Sequence, residues 1–260
     1  MKAWISTPNI LRGMAAAVCA AACLSFSPKA PAAGWGFVPT AREWETWPQY
    51  CRVEYSYINR GANAYGDYYP DSEIAAWRDR IGEKTFITLH HYCAAMLYLR
   101  RLKLERRPAY RAVLLSNAVS DGEFTYERTD THSIVYPAVA SVMAQAKYVN
   151  GDTDDAVQIL QRAIDAQPSR FEAYGTLAEI YREQHQLDKA VAIMNQANTA
   201  TGGESAEVQY NLGLINLEAG HVDAAVENAK HAYDLGYPLP GLANKLHKLG
   251  RWPPSSPAPQ

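Results

Sequence analysis

The sequence predicts an all-α protein in which helical hairpins repeat along the chain. From Ser72 onward, apolar residues recur at three- and four-residue steps, which is the period of an amphipathic helix. Between Tyr136 and Tyr237 the chain also repeats itself at intervals of about 34 residues, which indicates stacked units. Its 260 residues, 48% of them apolar, can bury a core, and this excludes disorder as the main state.

Residues 1–33 have the order of a secretory signal peptide. Positive charges precede the uncharged run 13–26, and Ala30-x-Ala32 offers a small-residue cleavage motif. The run is too short to cross the hydrocarbon core of a bilayer, so an uncleaved anchor is the weaker alternative, and a lipoprotein is weaker still. We therefore expect a periplasmic protein whose mature chain is soluble and carries 22 basic and 27 acidic residues.

The net charge and the positions of the cysteines indicate which kinds of protein this chain can be. A formal net charge of -2 for the whole chain gives no sign of a nucleic-acid binder, which would need a strongly basic face. Two of the four cysteines leave with the signal peptide, so Cys51 and Cys93 remain as a pair in an oxidising compartment. We expect them to form a disulfide, which on the loop-entropy estimate would stabilise the fold by about 4 kcal/mol.

Residues 34–72 form the segment that we call the aromatic cap. Nine Trp and Tyr residues are interrupted there by prolines and glycines, a pattern that predicts irregular chain with one short helix over 42–54. The favoured interpretation is that the rings cover the first helices of the body. The alternative is a ligand face on which a peptide or glycan stacks against residues 55–69.

Residues 73–130 are predicted to form a divergent helical hairpin, with helices over 72–81, 83–104 and 109–124. Whether this hairpin is a true fourth repeat stays open. The connection between its two long helices is basic, through Arg100, Arg101, Lys103, Arg106, Arg107 and Arg111. The favoured interpretation is that these residues form a solvated helix end, where cations complement the helix dipole. The alternative is that they make peripheral contact with an anionic surface.

Three blocks of the repeat align on small residues. The middle block is Tyr174-x-x-Leu177-Ala178-x-x-Tyr181, followed by Ala190-x-x-x-Met194 and Ala197. The flanking blocks place Ala144 and Gly213 at the position of Ala178. Two helices pack closely only where the facing side chains are small, so each block predicts one helical hairpin. Turns are expected at residues 151–152, 185–186 and 220–221.

This pattern resembles the tetratricopeptide repeat, and the resemblance covers about 100 residues. It implies a right-handed solenoid of about three repeats within residues 131–250, ended by a capping helix over 239–249 and a proline-rich tail, 251–260. The sequence also departs from the pattern. The first block lacks the large aromatic at its start, and Lys147 stands where the middle block has Tyr181.

The resemblance also implies a function, because the first helices of such hairpins line a concave surface that binds protein partners. By that analogy the partner-binding residues are Gln145, Tyr148, Glu172, Glu179, Arg182 and Tyr210. The expected role is a periplasmic scaffold or assembly factor for an envelope complex such as a pilus, secretion or polysaccharide-export machine. No enzyme activity and no cofactor are expected.

A metal protein or enzyme is the alternative from another class, centred on His90, His91 and Cys93. His90 and Cys93 share a helix face, but a zinc site needs further ligands and competes with the disulfide for Cys93. Packing of the histidines against the aromatic cap is the favoured interpretation. No phosphate-binding loop, Ser/His/Asp motif or H-E-x-x-H motif is present in the sequence.

Overall fold

The computed structural model of the chain describes residues 38–59, 65 and 67–252, which all belong to one compact unit. These residues form thirteen α-helices and no strand, which confirms the predicted class. The helices are α1 (Ala41–Glu45), α2 (Gln49–Ile58), α3 (Asp71–Ile81), α4 (Glu83–Phe86), α5 (Leu89–Leu104), α6 (Pro108–Tyr126), α7 (Tyr136–Asn150), α8 (Thr153–Ala166), α9 (Phe171–Glu183), α10 (Leu187–Ala200), α11 (Ala206–Glu218), α12 (Val222–Asp234) and α13 (Gly241–Lys248).

Not one of these helices has the length and apolar character needed to cross a bilayer. The predicted signal peptide, 1–33, and residues 253–260 of the predicted tail lie outside the described residues.

The aromatic cap contains two short helices where the sequence predicted one over 42–54. The Thr40 hydroxyl accepts a hydrogen bond from the Glu43 amide, and the Glu43 carboxylate accepts one from the Thr40 amide, so α1 begins with a capping box. The chain then breaks before α2 at Pro48. Proline has no amide hydrogen and disfavours helical geometry in the residue before it, which explains the break.

The predicted helix over 83–104 is also divided, into α4 and α5. The break falls at Ile87 and Thr88, where the Thr88 hydroxyl donates to the carbonyls of Lys84 (3.3 Å) and Thr85 (3.1 Å). Such bonds from a threonine side chain compete with the regular backbone ladder. α6 begins at Pro108, at a position in the first turn where a helix needs no amide hydrogen.

The predicted disulfide between Cys51 and Cys93 is present and joins α2 to α5. Both residues are fully buried, and their Cα atoms are 5.9 Å apart, within the usual range for a disulfide. The bond attaches the aromatic cap covalently to the first long helix of the body.

Residues 136–234 form three consecutive hairpins, α7–α8, α9–α10 and α11–α12, as the repeat predicted. Each hairpin turns at the predicted place. Gly151 and Gly220 have φ values of +100° and +82°, which glycine adopts without steric cost. His185 takes the equivalent place with φ +58°, and histidine is one of the residue types enriched in this left-handed region.

The small residues of the repeat lie where the helices of a hairpin cross. All of them are buried, and none of the alanines is more than 1% exposed. They are Ala144, Ala156, Ala163, Ala178, Ala190, Ala197, Gly213, Ala225, Ala229 and Ala232. Leu160, Leu177 and Met194 fill the spaces between them and are equally buried. This arrangement brings two helices close while keeping the interior densely packed.

Helix α7 joins the predicted divergent hairpin, α5–α6, to the repeats. Val139 and Ala146 of α7 belong to the core cluster that contains the aromatic cap, α5 and α6. Ala140 and Met143 of the same helix belong to the cluster that runs through α8 to α11. The hairpin α5–α6 therefore stacks on the first repeat and extends the array by one unit.

The third repeat replaces aromatic residues with a buried ladder of amides. Gln209 and Asn216 stand where the middle repeat has Tyr174 and Tyr181, and both amides are buried. The Asn228 amide donates to Gln209 Oε1 and the Asn216 amide donates to Asn228 Oδ1, each over 2.9 Å. These bonds satisfy the polar groups that burial would otherwise leave without partners.

Helix α13 caps the last repeat, within the predicted range 239–249. Leu242 and Leu246 are fully buried in a cluster with Ala225 and Ala229 of α12. The capping helix approaches α11 at Gly213, where an added Cβ atom would lie 2.5 Å from Cδ2 of Leu242 and 3.2 Å from Cβ of Asn228. A side chain at this crossing would therefore displace Leu242 and crowd Asn228.

We expect Gly213→Val to lower the free energy of unfolding by about 2 kcal/mol, because the added side chain overpacks the contact with α13. Ala192→Val, on the exposed face of α10, is the matched control and should cost less than about 1 kcal/mol through helix propensity alone. Urea unfolding followed by circular dichroism measures both. Equal losses in the two variants would show that α13 does not pack at Gly213.

Candidate functional site

A groove of about 270 Å³ opens between α5, α6, α7 and α9. We call this site the groove throughout. Its lining combines apolar, amide and charged side chains. They are Leu99, Leu102, Lys103, Arg111, Gln145, Tyr148, Val149, Thr176, Glu179 and Glu183.

The groove residues share one face of each contributing helix. On α9, Thr176, Glu179 and Glu183 follow at steps of three and four residues, the spacing that aligns side chains along a helix. On α7, Gln145 and Tyr148 are spaced in the same way. Because α5, α7 and α9 are the first helices of three consecutive hairpins, the groove belongs to the face on which these helices lie side by side.

Three of the six predicted partner-binding residues meet in this groove: Gln145, Tyr148 and Glu179. Partial burial, and then the negative charge of Glu183, raise the pKa of Tyr148. The hydroxyl is therefore protonated at neutral pH and serves as a hydrogen-bonding group.

Two further predicted residues, which do not line the groove, make ion pairs within the chain. Arg182 contacts Glu179 on its own helix and Glu218 on α11, so it joins two neighbouring first helices. Glu172 lies at the start of α9 and pairs with Arg170 at 2.5 Å. Both residues remain partly exposed.

Tyr210 does not line the open groove, and the structure corrects this expectation. Its ring is only 8% exposed and stacks on Tyr237 at a centroid distance of 4.1 Å. It belongs to the cluster that α13 forms with the last repeat. The helix that caps the array covers the surface that Tyr210 would otherwise present to a partner.

The sequence did not place Lys103 and Arg111 in the groove, because they belong to the hairpin that precedes the aligned repeats. Arg111 Nη1 donates to the carbonyls of Leu102 (2.6 Å) and Glu105 (2.9 Å), which fixes the guanidinium at the end of α5. These carbonyls lie at the negative end of the helix dipole. The basic connection thus supplies one wall of the groove.

Most arginines of the basic connection make contacts within the chain. Arg101 forms a two-point ion pair with Glu43 at 2.8 Å for each bond, and this pair lowers the pKa of Glu43 to about 2. Arg100 donates to the Thr46 hydroxyl, and Arg107 pairs with Glu105 at 2.7 Å. Arg100 and Arg101 therefore hold the aromatic cap against α5, which leaves a smaller basic surface for an anionic partner than the sequence implies.

The aromatic cap is a packed layer of rings. Trp44 is 3% exposed, stacks on Tyr65 at 4.9 Å and meets Tyr55 edge-on at 5.4 Å. The indole nitrogen of Trp44 donates to Asp67 at 2.9 Å. Among the described rings of this segment, Tyr68 is the most exposed, at 82%. This packing favours the covering role of the cap over a stacking surface for a glycan.

The histidine cluster beneath the cap is built from hydrogen bonds between imidazole and carboxyl groups. His90 Nδ1 lies 3.0 Å from Oε1 of Glu54, and His91 Nδ1 lies 2.7 Å from Oδ1 of Asp121. The Cys93 sulfur is bonded to Cys51 and is not available to a metal. Within residues 38–59, 65 and 67–252, no group of three or more His, Cys, Asp and Glu side chains is arranged to hold a metal ion.

Burial controls the charge state of this cluster. Glu54 is fully buried, and this raises the pKa of its carboxyl group well above the ordinary range. Burial, followed by the neighbouring His91, lowers the pKa of His90 to about 4. A neutral carboxylic acid can donate to a neutral imidazole, so the contact between Glu54 Oε1 and His90 Nδ1 needs no net charge in the interior.

Comparisons with known proteins agree with the helical repeats. Residues 149–212 match the family model for the tetratricopeptide repeat. The comparison with curated protein sequences finds no match.

Solved structures of MamA proteins show a weak similarity to this chain. A MamA RS-1 double mutant is 17% identical over 60% of this chain and 83% of its own, with a TM-score of 0.41. A MamA fragment from Desulfovibrio magneticus RS-1 is 17% identical over 61% and 86%, with a TM-score of 0.39. A further MamA crystal structure is 21% identical over 60% and 94%, at 0.38.

Proposed function

We propose that this chain, whose residues 149–212 match the family model for the tetratricopeptide repeat, is a scaffold for protein partners in the cell envelope. Its groove receives part of a partner protein, and its role is assembly or stabilisation of an envelope machine such as a pilus, secretion or polysaccharide-export complex. The proposal includes no catalytic step and no cofactor.

The observation that carries the proposal is the groove on the first helices of three consecutive hairpins. Leu99, Tyr148 and Thr176 reach it from α5, α7 and α9 respectively. A concave site of this kind has apolar surface for affinity and a few polar groups for orientation. Helical solenoids bind their partners on extended concave surfaces of this type.

Export to the periplasm is the second part of the proposal. The signal-like order of residues 1–33 and the buried Cys51–Cys93 disulfide support it, because structural disulfides persist in oxidising compartments. Cell fractionation with intact-mass measurement tests it. We expect a periplasmic chain that lacks residues 1–32, and a full-length cytoplasmic chain with two free thiols in the body would contradict it.

Site-specific photo-crosslinking in the native envelope tests the scaffold role. A photoreactive residue at position 148 should capture a reproducible protein partner, whereas one at Asn195, on the exposed face of α10, should not. We also expect Tyr148→Ala to reduce affinity for that partner about tenfold, as is typical when a central interface aromatic is truncated.

Tyr68→Ala is the matched control, since Tyr68 is a highly exposed tyrosine outside the groove. It should leave capture unchanged. If Tyr68→Ala abolishes binding and Tyr148→Ala does not, the aromatic cap is the binding surface and the groove proposal fails. Binding of saccharides in place of any protein would favour the same alternative.

A further inference from the structure

The groove has two walls of opposite charge. Lys103 and Arg111 form one wall, at the end of α5 and the start of α6. Glu179 and Glu183 form the other wall on α9. Leu99 and Val149 lie among these charged residues, so the same groove also offers an apolar surface.

The walls do not neutralise each other. Within the described part of the chain, neither Lys103 nor Arg111 forms an ion pair with an acid across the groove. Lys103 is exposed, and the hydrogen bonds of Arg111 Nη1 go to the backbone carbonyls at the end of α5, whose dipole offsets only part of its positive charge. The cationic wall is therefore available to an anionic group.

The acidic wall keeps an excess of negative charge. Arg182 is shared between Glu179 and Glu218, so one cation faces two carboxylates. Glu183 adds a third carboxylate, which forms no ion pair with a cation of the described residues. A basic group that enters this side of the groove would meet an uncompensated negative field.

The size of the groove restricts its occupant. A volume of about 270 Å³ is at the low end for small-molecule sites and fits a few side chains of an extended chain. A folded domain could not enter it. A short segment with a charged residue at each end and an apolar residue between them matches both the volume and the charges.

We propose that the groove binds an extended peptide segment in which an acidic side chain contacts Lys103 and Arg111, an apolar side chain packs on Leu99 and Val149, and a basic side chain contacts Glu179 and Glu183. This inference rests on the proposed function, because it assigns the chemistry of the partner at the same site. The mixed charge gives specificity, since a like charge placed against either wall is repelled.

Labelled synthetic peptides test the inference by fluorescence anisotropy on the whole mature chain. Four nine-residue Gly/Ser peptides would carry the triads Asp-Leu-Lys, Asp-Leu-Asp, Lys-Leu-Lys and Ser-Leu-Ser. We expect the mixed triad to bind about tenfold more tightly than either like-charged triad, and to weaken with added salt. Equal affinities, or no binding by the mixed triad, would overturn the inference.

A charge reversal provides the sharper measurement. In Lys103→Glu the preference should shift, so that Lys-Leu-Lys gains affinity while Asp-Leu-Lys loses about tenfold. A gain for one peptide cannot come from misfolding. Lys230→Glu, on the exposed face of α12, is the control and should leave the ranking unchanged. An unchanged ranking in Lys103→Glu would also overturn the inference.

The crosslinking experiment separates this inference from the proposed function. If position 148 captures a protein partner but the peptides show no charge ranking, the scaffold role stands and the assigned chemistry is wrong. If groove positions capture no protein, the scaffold role itself fails. Binding of free amino acids in preference to the peptides would show that the groove takes a small ligand, and this too would overturn the inference.

Discussion

Replacing both bridged cysteines, in the double variant Cys51→Ala with Cys93→Ala, is expected to lower the free energy of unfolding by about 4 kcal/mol. The disulfide closes a loop between residues 42 positions apart, and the loop-entropy estimate for that length gives this value. Both residues are fully buried, so the alanine variant also loses packing around the two sulfur atoms. Chemical denaturation of the mature chain measures the loss.

Reductant supplies the matched control. It should destabilise the wild-type chain by a similar amount and leave the double alanine variant unaffected. We expect the first α-helices to lose structure before the repeats do, because the bond joins α2 to α5. Coincident unfolding midpoints for the oxidised chain and the double variant would show that the aromatic cap is held by its other contacts alone.

Raising the pH from 6.5 to 9 is expected to destabilise the wild-type chain relative to Glu54→Gln. Full burial raises the pKa of Glu54, so the folded chain retains a proton that the unfolded chain releases. The stabilising contribution is present below about pH 4.5 and is lost as the pH rises through the pKa of the folded state. The maximum slope is about 1.4 kcal/mol per pH unit for one proton.

His90 changes stability with pH in the opposite direction to Glu54, and this limits the pH range in which the effect of Glu54 can be measured alone. Its lowered pKa, about 4, means that its contribution is present above its ordinary pKa near 6.5 and is lost on acidification. In the unfolded chain the imidazole is half protonated at pH 6.5 and neutral only from about pH 7.5. His90 is present in both proteins, so Glu54 determines the difference between them above that pH.

Denaturant unfolding across this pH range tests the effect. Glutamine matches glutamate in shape and can donate to His90 Nδ1 as the protonated acid does. Glu227→Gln, on the exposed face of α12, is the control and should follow the wild-type profile. Parallel profiles for wild type and Glu54→Gln would show that Glu54 is ionised in the folded protein, paired with a protonated His90.

The repeat could be predicted from the sequence because each signal acts locally. Ala144, Ala178 and Gly213 recur at one spacing since close helix crossings tolerate only small side chains, and Gly151 and Gly220 recur since the turns need positive φ values. The disulfide could also be predicted from the sequence, because only Cys51 and Cys93 remain after the predicted signal peptide is removed.

The missed features depend on contacts between distant parts of the chain. Tyr210 has the position of a groove residue in its helix, but α13 folds over it, and no pattern within the repeat reports that coverage. Lys103 and Arg111 enter the groove because α7 lies in two core clusters and fixes how the hairpin α5–α6 is placed against the repeats. The breaks at Pro48 and Thr88, by contrast, had local causes that the apolar periodicity concealed.

The two ends of the array differ in how firmly they are fastened, and this sets an order of local opening. A covalent bond secures the first helices, whereas the last hairpin packs around the amides of Gln209, Asn216 and Asn228, which water can also satisfy. In a linear array each unit opens according to its own stability and that of its neighbours. Amide hydrogen exchange should therefore be fastest in α11–α13 and slowest in α5 and α7, so the groove lies in the part of the array that frays last.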